Sequence, residues 1–338
     1  MAFSGNCVRV RARRLFAGCA LATLTGLGTA GHAQQASWRP ERPVEIVVPS
    51  TAGSSLDGTA RFTQKVWQAS RAIDTPIIVV SKPGGGGAIA TGYLDQRAGD
   101  GHFLLLAQQT VITNYAMGRT KTNYTDYTAL ATLYAEYMTM VVPPNSRLKS
   151  ARDFQQLLAK DPQALSIGIG VARGGTNHLT LSLLTKAMGL DVKLMKTVIF
   201  QGNSDSLTAV LGGHIDIASM SFAQAKNAAQ QGQLRILGIA ADKRLGGEFA
   251  NVPTWKEQGF DVVLLNQRYV LGPKGLTPAQ IAYWDAAFQK LTQADEWKAE
   301  VKKHDWLDDY AGSKETQQRL AALFPKLRGA LVEAGLTK

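Results

Sequence analysis

The chain has 338 residues, 45% of them hydrophobic, with 37 Lys and Arg against 26 Asp and Glu, and only two cysteines. That length exceeds what one hydrophobic core organises, so two domains are the default, and the apolar content excludes a disordered chain. The basic excess is dispersed, without the stripe of Lys and Arg interleaved with aromatics that nucleic-acid binding needs; a mild positive bias suits a receptor for anions.

In chain order, Arg9, Arg11, Arg13 and Arg14 lead into the apolar run Leu15 to Leu27, which ends at Gly31-His32-Ala33. This is the pattern of a secretory signal peptide over residues 1–33 with a small-x-Ala cleavage site, and its apolar core is too short for a stable membrane span. Arg13-Arg14 before Leu15-Phe16 loosely resembles a twin-arginine export signal, and Phe16-Ala17-Gly18-Cys19 has the outline of a lipoprotein box, with Phe16 a poor match to it. The expected exported form is soluble and periplasmic. It retains 33 basic residues against 26 acidic ones, a net charge of +7, and no cysteine, which excludes disulfides, thiol nucleophiles and cysteine metal sites.

From Val44 onward, β-branched runs alternate with helix-length amphipathic segments. The spacing predicts a strand at 44–48, a helix at 58–70, a strand at 77–80, a helix near 88–97 after Gly84 to Gly87, and a strand at 103–106. A second set follows: strand 138–142, helix 150–160, strand 166–169, helix 176–188, strand 192–198, helix 203–211, strand 215–219, helix 221–231 and strand 234–240. The tail from Pro278 is helical, with Trp284, Phe288 and Leu291 spaced to face a core. This rhythm is that of an α/β fold with parallel sheets flanked by helices.

Two loops carry the chemistry. Val48-Pro49-Ser50-Thr51-Ala52-Gly53-Ser54-Ser55-Leu56-Asp57-Gly58 passes from a strand through small hydroxyl and glycine residues into a helix, with Asp57 expected to cap it. Free N–H groups at such an entrance carry partial positive charge and stabilise an anion without a side-chain cation. Gly168 to His178 repeats this design, with Thr176 or Asn177 as cap. Two donor-rich lips about 120 residues apart point to a hinged binding protein with a cleft between two lobes. An ordinary capped loop is the competing reading of each motif alone.

Several segments match one family in order: Pro43 to Pro49 with Ala52 to Asp57 and Ala60-Arg61, then Lys82 to Gly87, Asp100 to Leu105, Gly174 to Leu179, Gln201 to Ser204, Leu211 to Asp216, Gly232 to Leu237, and Val252 to Gly259. From about Arg42 to the C-terminus the chain resembles the extracytoplasmic solute receptors of the tripartite tricarboxylate transporter family, the Bug receptors. The resemblance implies a periplasmic binding protein of type II, with two α/β lobes joined by a hinge and the ligand cleft between them. Residues 37–140 plus 262–338 would form lobe one and 141–261 lobe two. It implies that a small organic carboxylate is held largely by backbone amides and water, with Ser50, Thr51, Ala52, Gly53, Ser54, Ser55 and Asp57 on one lip. Ala172, Arg173, Gly174, Gly175, Thr176 and Asn177 would form the other. His178 would lock the second loop from the helix side, and Arg173 would meet either a distal carboxylate or solvent.

Membrane transporter subunits are the implied partners, for a monomeric receptor without cofactor or metal. A periplasmic sensor docking on a receptor kinase remains the alternative. Ser54 and Leu56 depart from the family pattern, as do Ala172 and Phe200, and make the cleft more apolar than is usual for a tricarboxylate. An enzyme is not expected: the histidines His102, His178, His214 and His304 are scattered, and neither a phosphate loop, a dinucleotide fingerprint nor a nucleophile elbow is present.

Overall fold

The computed structural model describes residues 38–170, 172–200 and 202–337; the expected signal peptide lies outside the described residues. The first half opens with β1 (Val44–Val48), α1 (Ser55–Ser70), β2 (Ile77–Ser81), α2 (Ala88–Asp95), β3 (Phe103–Ala107) and α3 (Thr110–Ala116). The 15-residue strand β4 (Thr128–Val142) leads into α4 (Ala151–Lys160), β5 (Ile167–Gly170), α5 (Thr176–Ala187), β6 (Thr197–Phe200), α6 (Asn203–Leu211), β7 (Ile217–Ser221), α7 (Phe222–Gln230) and β8 (Arg235–Ile239). The chain returns through β9 (Leu265–Gly272) and ends in α8 (Pro278–Gln293), α9 (Asp295–Lys303), β10 (Ala311–Gly312) and α10 (Ser313–Glu333).

Strand order is β2-β1-β3-β9-β4-β7-β5-β6, with β8 and β10 also pairing to β4. The outer groups β2-β1-β3 and β7-β5-β6 are parallel, as the alternating pattern predicts. The two central strands depart from it, since β9 and β4 run antiparallel to their neighbours. One long strand therefore serves both halves. From Thr128 to Tyr137, β4 pairs with β9; from Met138 to Val142 it pairs with β7 and β8. The chain comes back at Leu264, whose N–H donates to Ala240 O, and at Leu265, which pairs with Tyr137. The chain thus passes twice between the two groups of strands, near 137–138 and 264–265, and the sheet is continuous across both passages through β4.

Each group of strands packs a core cluster, and a further cluster joins Leu179 of α5 to Leu327 and Leu331 of α10. In the first group, Trp67, Trp284, Phe288 and Trp297 are essentially fully buried beneath β1, β3 and β4, so the Trp284-Phe288-Leu291 stripe packs as its spacing predicts. In the second, Phe154, Ile167, Leu184, Ile217 and Trp255 occupy the equivalent place. Among the described residues no helix is long and apolar enough to cross a membrane.

Candidate functional site

The first loop enters α1 earlier than predicted. Ser54 caps the helix, its Oγ accepting the Asp57 N–H at 3.3 Å, so the expectation that Asp57 is the cap is corrected. Asp57 sits in the first helical turn, 2% exposed, and its carboxylate accepts the Gly53 N–H at 2.9 Å and the Arg61 Nε–H at 2.8 Å. Burial alone raises the Asp57 pKa; the Arg61 guanidinium and the Gly53 N–H outweigh it and hold the carboxyl below the usual Asp value. Gly53 adopts φ +80°, a left-handed conformation, and aims its donor back at Asp57. Ser50 and Ser54 share a hydroxyl contact of 2.6 Å, while Thr51, Ala52, Gly53 and Ser55 are exposed. The seven residues of this lip thus form one self-bonded turn with its tip in solvent.

The second loop is folded more tightly. Gly174, φ +80°, is buried, and a Cβ there would lie 2.6 Å from the Met117 side chain. Gly175 caps α5 with no side-chain bond, its N–H donating to Ala172 O at 3.2 Å, so neither Thr176 nor Asn177 is the cap. Thr176 bridges the halves, its hydroxyl 3.3 Å from Gln109 Oε1 and 3.2 Å from Asn266 Oδ1. Asn177 donates to Gly170 O and to Asn203 Oδ1, and Gly170 is needed there because a Cβ would collide with Asn203. Arg173 is exposed and donates to Thr197 Oγ1 at 3.2 Å. His178 is buried, and desolvation, then the Arg173 charge, pushes its pKa down to about 4.

Between the halves lies a cleft of about 450 Å³. Its walls are the first turns of three helices: α1 through Ser55, Gly58 and Thr59, α6 through Asn203, and α7 through Ala223 and Gln224 beside Ser221. Ser55 is the one residue of the two expected lips that lines it; Asn177 reaches it through Asn203. Neither Gly202 before α6 nor Ser221 before α7 makes a side-chain cap, so the helix-entrance donors there are not taken by a cap. Uncapped helix entrances of the kind expected at the two loops are found here mainly at α6 and α7, whose sequences, Gly202-Asn203 and Ser221-Phe222, carry no glycine-rich signal.

The cleft floor is an ion pair. Arg268 on β9 and Glu136 on β4 are 4% and 5% exposed and bonded to each other. Asn266 donates to the same Glu136 oxygen at 3.0 Å. Burial works against the Arg268 charge, but Glu136 and Tyr134 outweigh it and keep the guanidinium protonated. Behind the floor, Tyr134 hydrogen-bonds Thr59 at 2.7 Å and stacks on Trp306 with ring centroids 3.8 Å apart; Trp306 stacks in turn on His304. Phe62, Lys65 and Glu300 complete the rim.

Comparison with known proteins decides the family. The model described as "Tripartite tricarboxylate transporter family receptor" matches residues 61–335. The chain belongs to that family. A curated relative, a UPF0065 protein in the gbd 5' region of Cupriavidus necator, is 30% identical over 326 residues, 95% of this chain and 97% of the relative. Among solved structures, the periplasmic binding protein BugD superposes with a TM-score of 0.75 at 20% identity, covering 88% of this chain and 99% of BugD. R. palustris Rpa4515 with adipate gives 0.76 at 20%, covering 88% and 98%. This Bug-type receptor therefore has the two-lobed α/β fold of the periplasmic binding proteins, and its family consists of solute-binding receptors, not enzymes.

Proposed function

We propose that this receptor captures a small carboxylated organic solute in the periplasm and delivers it to the membrane subunits of a tripartite tricarboxylate-type transporter. The observation that carries the ligand class is the convergence of the α1, α6 and α7 entrances on one cleft. Partial positive charge there favours an anion without a dedicated side-chain cation. The adipate in a relative of the same fold supports it. In this reading residues 37–140 plus 262–338 and residues 141–261 are two lobes that close on the solute, and the receptor acts as a monomer. The lip residues Ser50 to Ser55 with Asp57 shape one wall, and Ala172 to Asn177 support the other.

Because the buried glutamate and arginine of the floor neutralise each other, the anionic end of the solute belongs at the helix entrances. Its remainder lies along Phe62 and the Trp306 edge. A melting-shift screen of mono-, di- and aromatic carboxylates tests this. At a hundredfold excess over Kd the native state gains roughly 2.7 kcal/mol. Shifts with neutral sugars or cationic amino acids and none with any carboxylate would overturn the anion reading.

A further inference from the structure

We propose that Lys226 and Asp305 form a latch across the mouth of the cleft that sets how often the ligand-free receptor is closed; this rests on the reading above that the two halves move against each other. Lys226 belongs to α7, whose first turn lines the cleft, and its ammonium bonds the Asp305 carboxylate in the turn after α9. Asp305 stands between His304 and Trp306, both cleft residues, so the pair ties the wall of one half to the rim of the other. The side chains are 25% and 34% exposed, shielded enough for the attraction to count and open enough for salt to weaken it. The other described ion pair joining the halves, Lys186 with Glu333, includes no cleft residue.

The backbone supplies an independent argument. α9 ends with the Trp306 N–H donating to Val301 O at 3.0 Å and the Asp305 N–H donating to Lys302 O at 3.2 Å, the paired bonds of a Schellman turn. Asp305 occupies the left-handed position of that turn, φ +52°, where glycine is the least strained residue. An aspartate there costs turn stability and adds one thing, a carboxylate, whose partner is Lys226.

Asp305→Gly therefore removes the latch while suiting the turn. Cys7 and Cys19, the only native cysteines, fall in the expected signal peptide, so the exported form with Gln68→Cys on α1 and Thr208→Cys on α6, both exposed, accepts two spin labels on opposite sides of the cleft. Pulsed dipolar distances are measured without ligand. Asp305→Gly and Lys226→Met should each lower the closed-to-open ratio, by roughly threefold for a pair of this exposure. The double variant should open no further, and 1 M NaCl should open the parent but not Asp305→Gly. A melting temperature of Asp305→Gly at or above the parent's shows that the change is not misfolding. Coincident distance distributions for parent and Asp305→Gly, or a double variant that opens by the sum of the two, would overturn the latch. No ligand enters this measurement, so its failure leaves the carboxylate reading to the melting screen, and the screen's failure leaves the latch standing.

Discussion

Glu136→Gln should be among the most destabilising conservative changes in the molecule. The substitution keeps size and one acceptor but removes the counter-charge of Arg268, a guanidinium 4% exposed. Its remaining bonds are weak: Nη1 reaches Gln108 Oε1 and Asn266 O at 3.4 Å each. Leaving such a charge buried without its partner costs about 3–5 kcal/mol, whereas replacing both members by apolar residues is often neutral. For a chain of this size about 2 °C accompanies each kcal/mol, so the single variant should melt about 6–10 °C below the parent. Glu136→Leu with Arg268→Met should recover most of that loss. Calorimetry and urea unfolding at pH 7 on all three proteins read the difference. A single variant as stable as the double would refute the reasoning, because the guanidinium would then be satisfied by water in the cleft or by another partner.

Three further outcomes follow from the site. His178 is buried with its folded pKa lowered to about 4 against an ordinary value of 6.5, so the unfolded chain binds its proton first as pH falls; stability present above about pH 6.5 should decline toward pH 4, by up to about 3 kcal/mol, and His178→Phe should flatten that decline in urea melts. Gly53→Val meets open space at Cβ but must hold φ +80°, which should cost about 1–2 kcal/mol of stability and weaken solute binding, while Gly53→Asn, more tolerant of this conformation, should do less of both; equal binding by all three in calorimetric titration would make the loop an ordinary capped turn. Arg173→Ala should change stability by less than about 0.5 kcal/mol and leave solute affinity unchanged, since its guanidinium is exposed and bonded to Thr197; a large affinity loss would place Arg173 on a distal carboxylate.

The parallel groups were legible because their strands are short apolar runs such as Val44–Val48 and Phe103–Ala107, each separated from the next by an amphipathic helix. β9 was not, because Asn266 and Arg268 are buried polar residues inside a strand, and their alternation reads as a loop until Glu136 and Gln108 supply partners. The first ten residues of β4 escaped for a related reason: the strand is buried along almost its whole length and shows no alternation to mark where it begins. Glycine and serine content marked the two loops, of which Ser55 alone lines the cleft. That content could not show that Asp57 turns back on Gly53, nor that Asn177 works through Asn203, since both depend on side-chain direction. The entrances of α6 and α7 became visible only when β5, β6 and β7 were laid side by side, bringing Asn203 and Ser221 to one wall.

A crystal structure with the carboxylate that gives the largest melting shift would show whether the helix entrances hold the anion. A carboxylate oxygen should lie within hydrogen-bond distance of main-chain N–H groups at the entrances of α6 or α7 and face the α1 turn, with no lysine or arginine as its sole partner. A solute bound outside this cleft, or one whose carboxylate points to solvent while its neutral end meets the helix entrances, would contradict that placement.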